Sequence, residues 1–353
     1  MQPAPQYLVK FLAGRRGGSL LFLCALLPFL AMRGQKPPAP PPPQSGQQSG
    51  QQPPSGAQPP FRVAARVERV NVDAAVTDAR GQFVTGLKRE HFHVFDNGAE
   101  QPIADFSPIE APARILLVVE ASPAVYLLSD EHRTAAFQLL DGLAPGDFVA
   151  FGVYDDSFRP IVGFTQNKGV VGQSLAQMQF GLGFARLNLF GSLSSAIADV
   201  LATPVPDAGA GGKTAIVLLS TGLSDLQTEA VRQRLSGQLQ VSGIAVYTIA
   251  LGGNLRSPRG KTAGAEAATE AFAQADRDLR AIAESSGGLP FFPKTGKDLA
   301  GAYAEVARTL RHLYSVAFVP PAHDGKVHVL RVEVREREGL RILARPAYLA
   351  PSE

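Results

Sequence analysis

Residues 115–122 read Ile115-Leu116-Leu117-Val118-Val119-Glu120-Ala121-Ser122. Five consecutive apolar residues end in an acid. An unbroken apolar run of this length is what a strand covered on both faces requires. The same signature returns at Phe148–Val153, at Ala215–Leu219, at Ile244–Leu251 and, shorter, at Leu289–Phe292. Helical patterns fall between them: one capped by Ser129 with Ala136, Phe137, Leu139 and Leu140 inward, then segments near 170–180, 191–202, 227–240, 273–285 and 297–313. Strands alternating with helices predict an α/β fold with a doubly wound, mostly parallel sheet over residues 113–313.

Outside that centre the period changes. In residues 61–112, Val67, Val70, Val72, Ala74 and Val76 lead to a turn at Asp78-Ala79-Arg80-Gly81, and Phe92, Val94 and Phe95 lead to Asp96-Asn97-Gly98. Alternation with Asn-Gly turns predicts antiparallel strands. His91 and His93, two apart, are expected to share a strand face, without a third ligand to make a metal site. Residues 314–353 return to strands at Val316–Val319, Val327–Val334 and Gly339–Ala344. Neither end has enough strands for a core of its own. The expectation is one small β domain built from 61–112 and 314–353, with the α/β part inserted.

Residues 1–32 carry Lys10, Arg15 and Arg16, no acid, and the apolar run Ser19–Met32. This reads as a signal peptide, or as an uncleaved N-terminal anchor because no clean Ala-x-Ala follows. Removing those three of the 34 Lys and Arg leaves as many bases as the 31 acids, so the formal charge of +3 belongs to the leader. No dense basic cluster marks a nucleic-acid face. Cys24 is the only cysteine, which excludes a disulfide framework. Residues 33–60 are Pro, Gln, Gly and Ser almost throughout and read as a disordered spacer.

Enzyme signatures fail on inspection. Gly212-Lys213-Thr214 looks like the end of a P-loop, but the first glycine of that pattern falls on Asp207 and the tripeptide precedes a strand. Gly181-Leu182-Gly183 lacks the third glycine of a dinucleotide fingerprint, Arg186 standing there. No Gly-x-Ser-x-Gly elbow occurs.

Taken together, Val118-Val119-Glu120-Ala121-Ser122, the strand after Asp147, Leu218-Leu219-Ser220-Thr221-Gly222 and Leu279–Ala283 with Ser286-Gly287-Gly288 make the centre similar to the von Willebrand factor A (VWA) domain family. With Val76-Thr77-Asp78, Gly86-Leu87, Val94–Gly98 and the C-terminal Asp324–Lys326, Val332–Val334 and Tyr348, residues 65–350 resemble the VWA-related proteins of acidobacteria. The resemblance implies a metal-ion-dependent adhesion site at the C-terminal edge of the sheet, built as Asp-x-Ser-x-Ser, a Thr and a distant Asp. Carried over, those positions are Glu120, Ser122, Ala124, Gly191 and Thr221, with Ser192 beside Gly191. Only Ser122 is unchanged, so the site is expected to be degenerate, with no cofactor; Mg²⁺ binding is the alternative. Glu120 is expected to take hydrogen bonds from Ser122, Thr221 and backbone N–H groups following Gly191, tying loop tips together where the family uses a metal. Phe184, Leu187, Leu189 and Phe190, in the loop entering that region, are a candidate partner contact if exposed; the favoured alternative buries two or more of them in the domain.

The leader and the Pro-rich spacer, with the resemblance, point to an exported, non-enzymatic protein-interaction module on a flexible stalk, located in the periplasm, in the cell envelope or outside the cell. Its partner is an unknown protein ligand rather than a nucleic acid, with membrane attachment through the leader if that is retained. The alternatives are a structural envelope scaffold and a Mg²⁺-dependent ligand-binding protein.

Overall fold

The computed structural model describes residues 69–108, 112–123, 129–178, 186–203, 213–225, 228–253, 256, 263–335 and 338–352. The leader, the Pro-rich segment, Ala124 and Phe184 lie outside them. Four strands come first: β1 (Val70–Thr77), β2 (Phe92–Asp96), β3 (Ala99–Gln101) and β4 (Ile103–Pro108). The central part runs β5 (Arg114–Glu120), α1 (Ser129–Gly142), β6 (Phe148–Tyr154), β7 (Phe158–Thr165), α2 (Lys168–Ala176), α3 (Leu189–Ala202), β8 (Thr214–Ser220), α4 (Glu229–Ser242), β9 (Ala245–Ala250), α5 (Ala263–Ser286), β10 (Pro290–Phe291) and α6 (Gly296–Arg311). It closes with β11 (Leu313–Phe318), β12 (Val327–Val334), β13 (Arg341–Leu343) and β14 (Ala347–Leu349).

The central six-stranded sheet has the order β10-β9-β8-β5-β6-β7, with every pairing parallel except β6 with β7. This is the doubly wound, mostly parallel architecture expected. The apolar run explains why β5 is central. Ile115, Leu117 and Val119 pack on one face with Leu139 of α1 and Tyr303 and Val306 of α6. Leu116 and Val118 pack on the other with Leu193 and Ile197 of α3, Leu235 of α4 and Leu279 of α5. Every second residue therefore has a helix to bury against, at about 25 cal/mol per Å² of apolar surface removed from water.

β7 is a strand that the sequence reading did not contain. Half of its residues are exposed and half only partly buried, and it carries Pro160, which an edge strand tolerates. Gly152 of β6 makes room for it: a Cβ there would collide with the Phe158 ring.

The flanking strands form two further four-stranded sheets, β13-β1-β11-β4 and β14-β12-β2-β3, each mixing strands from both ends of the chain. They share a core of Val72, Ala74, Val94, Val316, Phe318, Leu330 and Tyr348. Asn97 and Gly98, at φ 47° and 86°, form the tight turn between β2 and β3. In the second sheet, buried Asp96 takes Tyr348 Oη at 3.0 Å and has His328 Nδ1 at 2.7 Å. The expected sharing of a strand face by His91 and His93 is corrected. His91 closes a 3-10 turn, Arg89–His91, with Nδ1 accepting from Lys88 N at 3.0 Å. Only His93 lies in β2, with Nδ1 2.6 Å from Glu100 Oε1.

Among the described residues no helix is long and apolar enough to cross a membrane. The buried Tyr314 hydroxyl joins the two chain ends: it donates to Val84 O at 3.0 Å and accepts from Leu87 N at 3.1 Å. Tyr314→Phe leaves both backbone groups without that partner. It should lower the unfolding free energy by about 1–3 kcal/mol, read from the urea midpoint at constant m. An unchanged midpoint would mean that this bridge does not hold the ends together.

Candidate functional site

The sheet changes direction between β5 and β8, and in such sheets the crevice beyond the C-terminal ends of those strands is where ligands usually sit. Three strands end there in register. Glu120 of β5 pairs with Tyr154 of β6, and Val119 pairs with Leu219 of β8, which puts Ser220 next to Glu120 on its other side. Glu120, Ser220, Thr221 and Tyr154 are all fully buried, and Ser122 nearly so.

The burial puts a carboxylate where it must find donors. Ser122 Oγ donates to Glu120 Oε1 at 2.6 Å, and Thr221 N donates to Oε2 at 2.7 Å. Thr221 Oγ1 lies 3.0 and 2.9 Å from the two oxygens. Tyr154 Oη and Ser220 Oγ approach Oε2 at 3.1 and 3.2 Å and lie 2.6 Å from each other. One proton joins Tyr154 to Ser220, so one of the two donates to Glu120 while the other donates to its neighbour. Gly222 N donates to Ser220 Oγ at 2.8 Å, completing the chain. A carboxylate has about four acceptor positions. Ser122, the Thr221 hydroxyl, the Thr221 amide and the Tyr154–Ser220 pair fill them. Burial and the adjacent Glu120 charge push the Tyr154 phenol well above its ordinary range, so it remains a donor.

Two features hold this cluster in place. Gly222 takes φ 78°, and a Cβ there would meet Ala275 Cβ and O at 2.9 Å, so α5 passes close over the turn. Arg256 straps the loop after β9 across it. Its Nη2 donates to Thr221 O at 2.7 Å and Nε to Leu251 O at 3.3 Å; it pairs with Asp276, and its guanidinium lies 5.1 Å from the Phe272 ring centroid. Burial draws the Arg256 guanidinium down to about 10, opposed by the Glu120 charge, so it stays protonated at neutral pH.

The outer rim is a second set of hydrogen bonds. Asn188 caps α3 by accepting from Gly191 N at 3.0 Å, and its own N donates to Asp155 O at 2.8 Å. Asp225 and Leu187 exchange two bonds of 2.7 Å. Asp155 is paired with Arg159 through both carboxylate oxygens, at 2.5 and 2.8 Å, and the guanidinium holds its carboxyl down at about 2.

The structure thus joins Glu120, Ser122 and Thr221 through hydrogen bonds. Gly191 sits in the first turn of α3, against its Asn188 cap. Ser192 is buried, and its hydroxyl has no partner among the described residues. For Leu189 and Phe190 the contact reading is corrected and the burial reading holds: at 0% and 3% exposure they belong to the core under α3. Leu187 is half-buried. The backbone N–H that reaches Glu120 comes from Thr221, rather than from the turn following Gly191. Tyr154, Ser220 and Arg256 are not among the site residues expected from the sequence, although Ser220 stands in the Leu218–Gly222 motif. The signal for the first two is a polar residue closing an apolar strand at the level of Glu120; for Arg256 the sequence holds none. Among the described residues no group of three His, Cys, Asp or Glu side chains converges as a metal site.

Several solved structures are similar to this chain. A von Willebrand factor type A protein from Catenulispora acidiphila is 11% identical, aligns over 77% of this chain and 76% of its own, and has a TM-score of 0.44. The von Willebrand factor domain of a type V pili tip protein from Porphyromonas gingivalis is 15% identical, with 57% and 96% covered and a TM-score of 0.40. An aerotolerance-related membrane protein from Bacteroides fragilis is 13% identical, with 56% and 98% covered and a TM-score of 0.39. No protein-family model and no curated protein matches the sequence.

The donor set makes a graded prediction. In Glu120→Gln the amide oxygen still accepts from Thr221 N, while its NH₂ faces the Ser122 and Thr221 hydroxyls, which can rotate to accept. Stability should change by no more than about 1 kcal/mol. Glu120→Leu leaves the Thr221 amide and the hydroxyls without their acceptor and should cost several times as much. Equal losses for the two variants in urea unfolding would contradict a hydrogen-bonding role.

Proposed function

We propose that this chain is a VWA-type protein-interaction module in which a hydrogen-bonded Glu120 stands where the resembling family holds a metal. The reading is carried by one observation: protein donors fill the acceptor positions of the Glu120 carboxylate. Mg²⁺ needs a near-octahedral set of oxygens and gives up water reluctantly. Glu120 could serve it only by surrendering Ser122, Thr221 or Tyr154, and Thr221 brings a neutral hydroxyl where the family pattern has a second carboxylate. The cluster is a rigid floor beneath the loops, and a partner would be recognised by the loop surface without a bridging ion. The absence of a nucleophile elbow, P-loop and dinucleotide fingerprint supports a non-enzymatic role. The basic-then-apolar segment 1–32 and the Pro-rich 33–60 support export and display on a flexible spacer, at the envelope or beyond it.

Metal independence is read directly by melting the full chain in millimolar Mg²⁺ and in excess chelator. The two melting temperatures should coincide. A site filled at about 100 times its dissociation constant would add about 2.7 kcal/mol and shift the melt clearly upward. Partner capture from native envelope extract by the full chain should be equal with and without chelator, and should persist in Glu120→Gln. Capture that needs a divalent ion and disappears in Glu120→Gln would replace this reading with a working adhesion site. Turnover of ester, phosphate or peptide substrates would replace it with an enzyme.

A further inference from the structure

The opposite edge of the same sheet, at the N-terminal ends of its parallel strands, holds a cavity of about 690 Å³. It is walled by both the α/β part and the first β sheet. Arg114 opens β5, Lys213 immediately precedes β8, and Tyr247 belongs to β9; Asp73 of β1, Ser315 of β11 and Arg345 between β13 and β14 face them.

Among the described residues, the charged groups lining this cavity have few direct partners. Lys213 is only 5% exposed, yet its Nζ has no hydrogen-bond or ion-pair partner among the described residues; nor does the Asp73 carboxylate. Arg345 donates from Nη2 to Asn71 O at 2.6 Å, and Arg114 from Nη2 to Val200 O and Thr203 O at 3.1 and 2.6 Å. The Nε of each arginine is buried without a partner among the described residues. Among the described residues four cations, Arg69, Arg114, Lys213 and Arg345, and one acid, Asp73, thus line a space within the size range of small-molecule sites, Arg69 being paired with Asp105. Burial draws Lys213 down to about 8, opposed by the Asp147 and Asp73 charges, and pushes Asp73 up to about 6, opposed by Lys213 and Arg345. A raised acid loses folding stability as pH climbs from its unfolded value towards 6. A depressed amine regains stability only as pH rises beyond 8. At neutral pH both groups are charged in the form that burial disfavours, a cost that a bound counter-charge would offset.

We propose that this cavity binds a small hydroxylated anion, a sugar acid or sugar phosphate, with its anionic oxygens on Lys213 and Arg345 and a hydroxyl donating to Asp73. The anionic group follows from the excess of cations. The hydroxyl follows from Asp73: a bare anion would meet a like charge there, whereas a hydroxyl turns the same carboxylate into an acceptor. The Tyr247 and Ser315 hydroxyls offer further partners for a polyol.

The test is calorimetric titration of the full chain with glucuronate, glucose 6-phosphate, inorganic phosphate and glucose. At least one of the two anionic sugars should bind, which also distinguishes carboxylate from phosphate as the preferred head group. Phosphate should bind at least about tenfold more weakly, a difference of about 1.4 kcal/mol, and glucose should give no heat. Lys213→Met should weaken binding by at least about tenfold while leaving the urea midpoint equal or higher, because it removes an unpaired buried charge. Asp73→Asn should narrow the preference for the sugar over phosphate. The proposal is overturned if neither anionic sugar binds at millimolar concentration. It is also overturned if binding is the same in Lys213→Met, or if phosphate matches the sugars before and after Asp73→Asn. Should Lys213→Met fail to fold, Asp73→Asn and Arg345→Lys carry the same comparison.

Discussion

A carboxylate buried at the end of a central strand has to be surrounded by donors, and much of the C-terminal edge of this sheet is arranged around that requirement. Glu120 is held by the residue two ahead on its own chain and by residues closing the strands on both sides. Those donors sit at the correct height only because β5, β6 and β8 are parallel and in register. A slip of one residue in either pairing would turn a strand's side chains to the opposite face and leave Glu120 against an apolar neighbour. The polar cluster therefore specifies the same register that the apolar faces of β5 specify from below. The two requirements are satisfied together.

The two edges of the sheet solve the problem of buried charge in opposite ways. At the C-terminal edge one acid is enclosed by neutral donors, and a nearby cation, Arg256, is spent on carbonyl groups and Asp276. At the N-terminal edge the cations exceed the acid and the space between them is open. The β sheets drawn from both chain ends close over that second edge. Asp73 and Ser315, on paired strands from opposite ends of the chain, reach it together. Interleaving the ends thus does more than complete a β core: it supplies one wall of a cavity that the α/β part alone would leave open.

How much of this was legible in the sequence follows from the physics of each feature. Runs such as 115–119 and 215–219 announce strands covered on both faces, since only burial tolerates five apolar residues in succession. β7 was not legible because an edge strand with Pro160 and an irregular register against β6 has neither period. The residues joined at the C-terminal edge were partly legible. Glu120, Ser122 and Thr221 stand where short local motifs put them. Tyr154 and Ser220 depend on cross-strand register, which a one-dimensional pattern does not contain. Leu189 and Phe190 stayed open between contact and core because an apolar residue in the first turn of an amphipathic helix reads the same in sequence whether that turn faces solvent or core. Here it faces the core.

The central claim is that Glu120 is saturated by protein donors and has no free oxygen for a cation. Crystals of the full chain grown with millimolar Mn²⁺, measured for anomalous scattering, test it at the atoms concerned. The account requires no anomalous peak within coordination distance of Glu120, about 2–2.5 Å, with Ser122, Thr221 and the Tyr154–Ser220 pair still within hydrogen-bond reach of its carboxylate. A manganese ion bound to Glu120 and Ser122, with the Thr221 hydroxyl turned away, would contradict it.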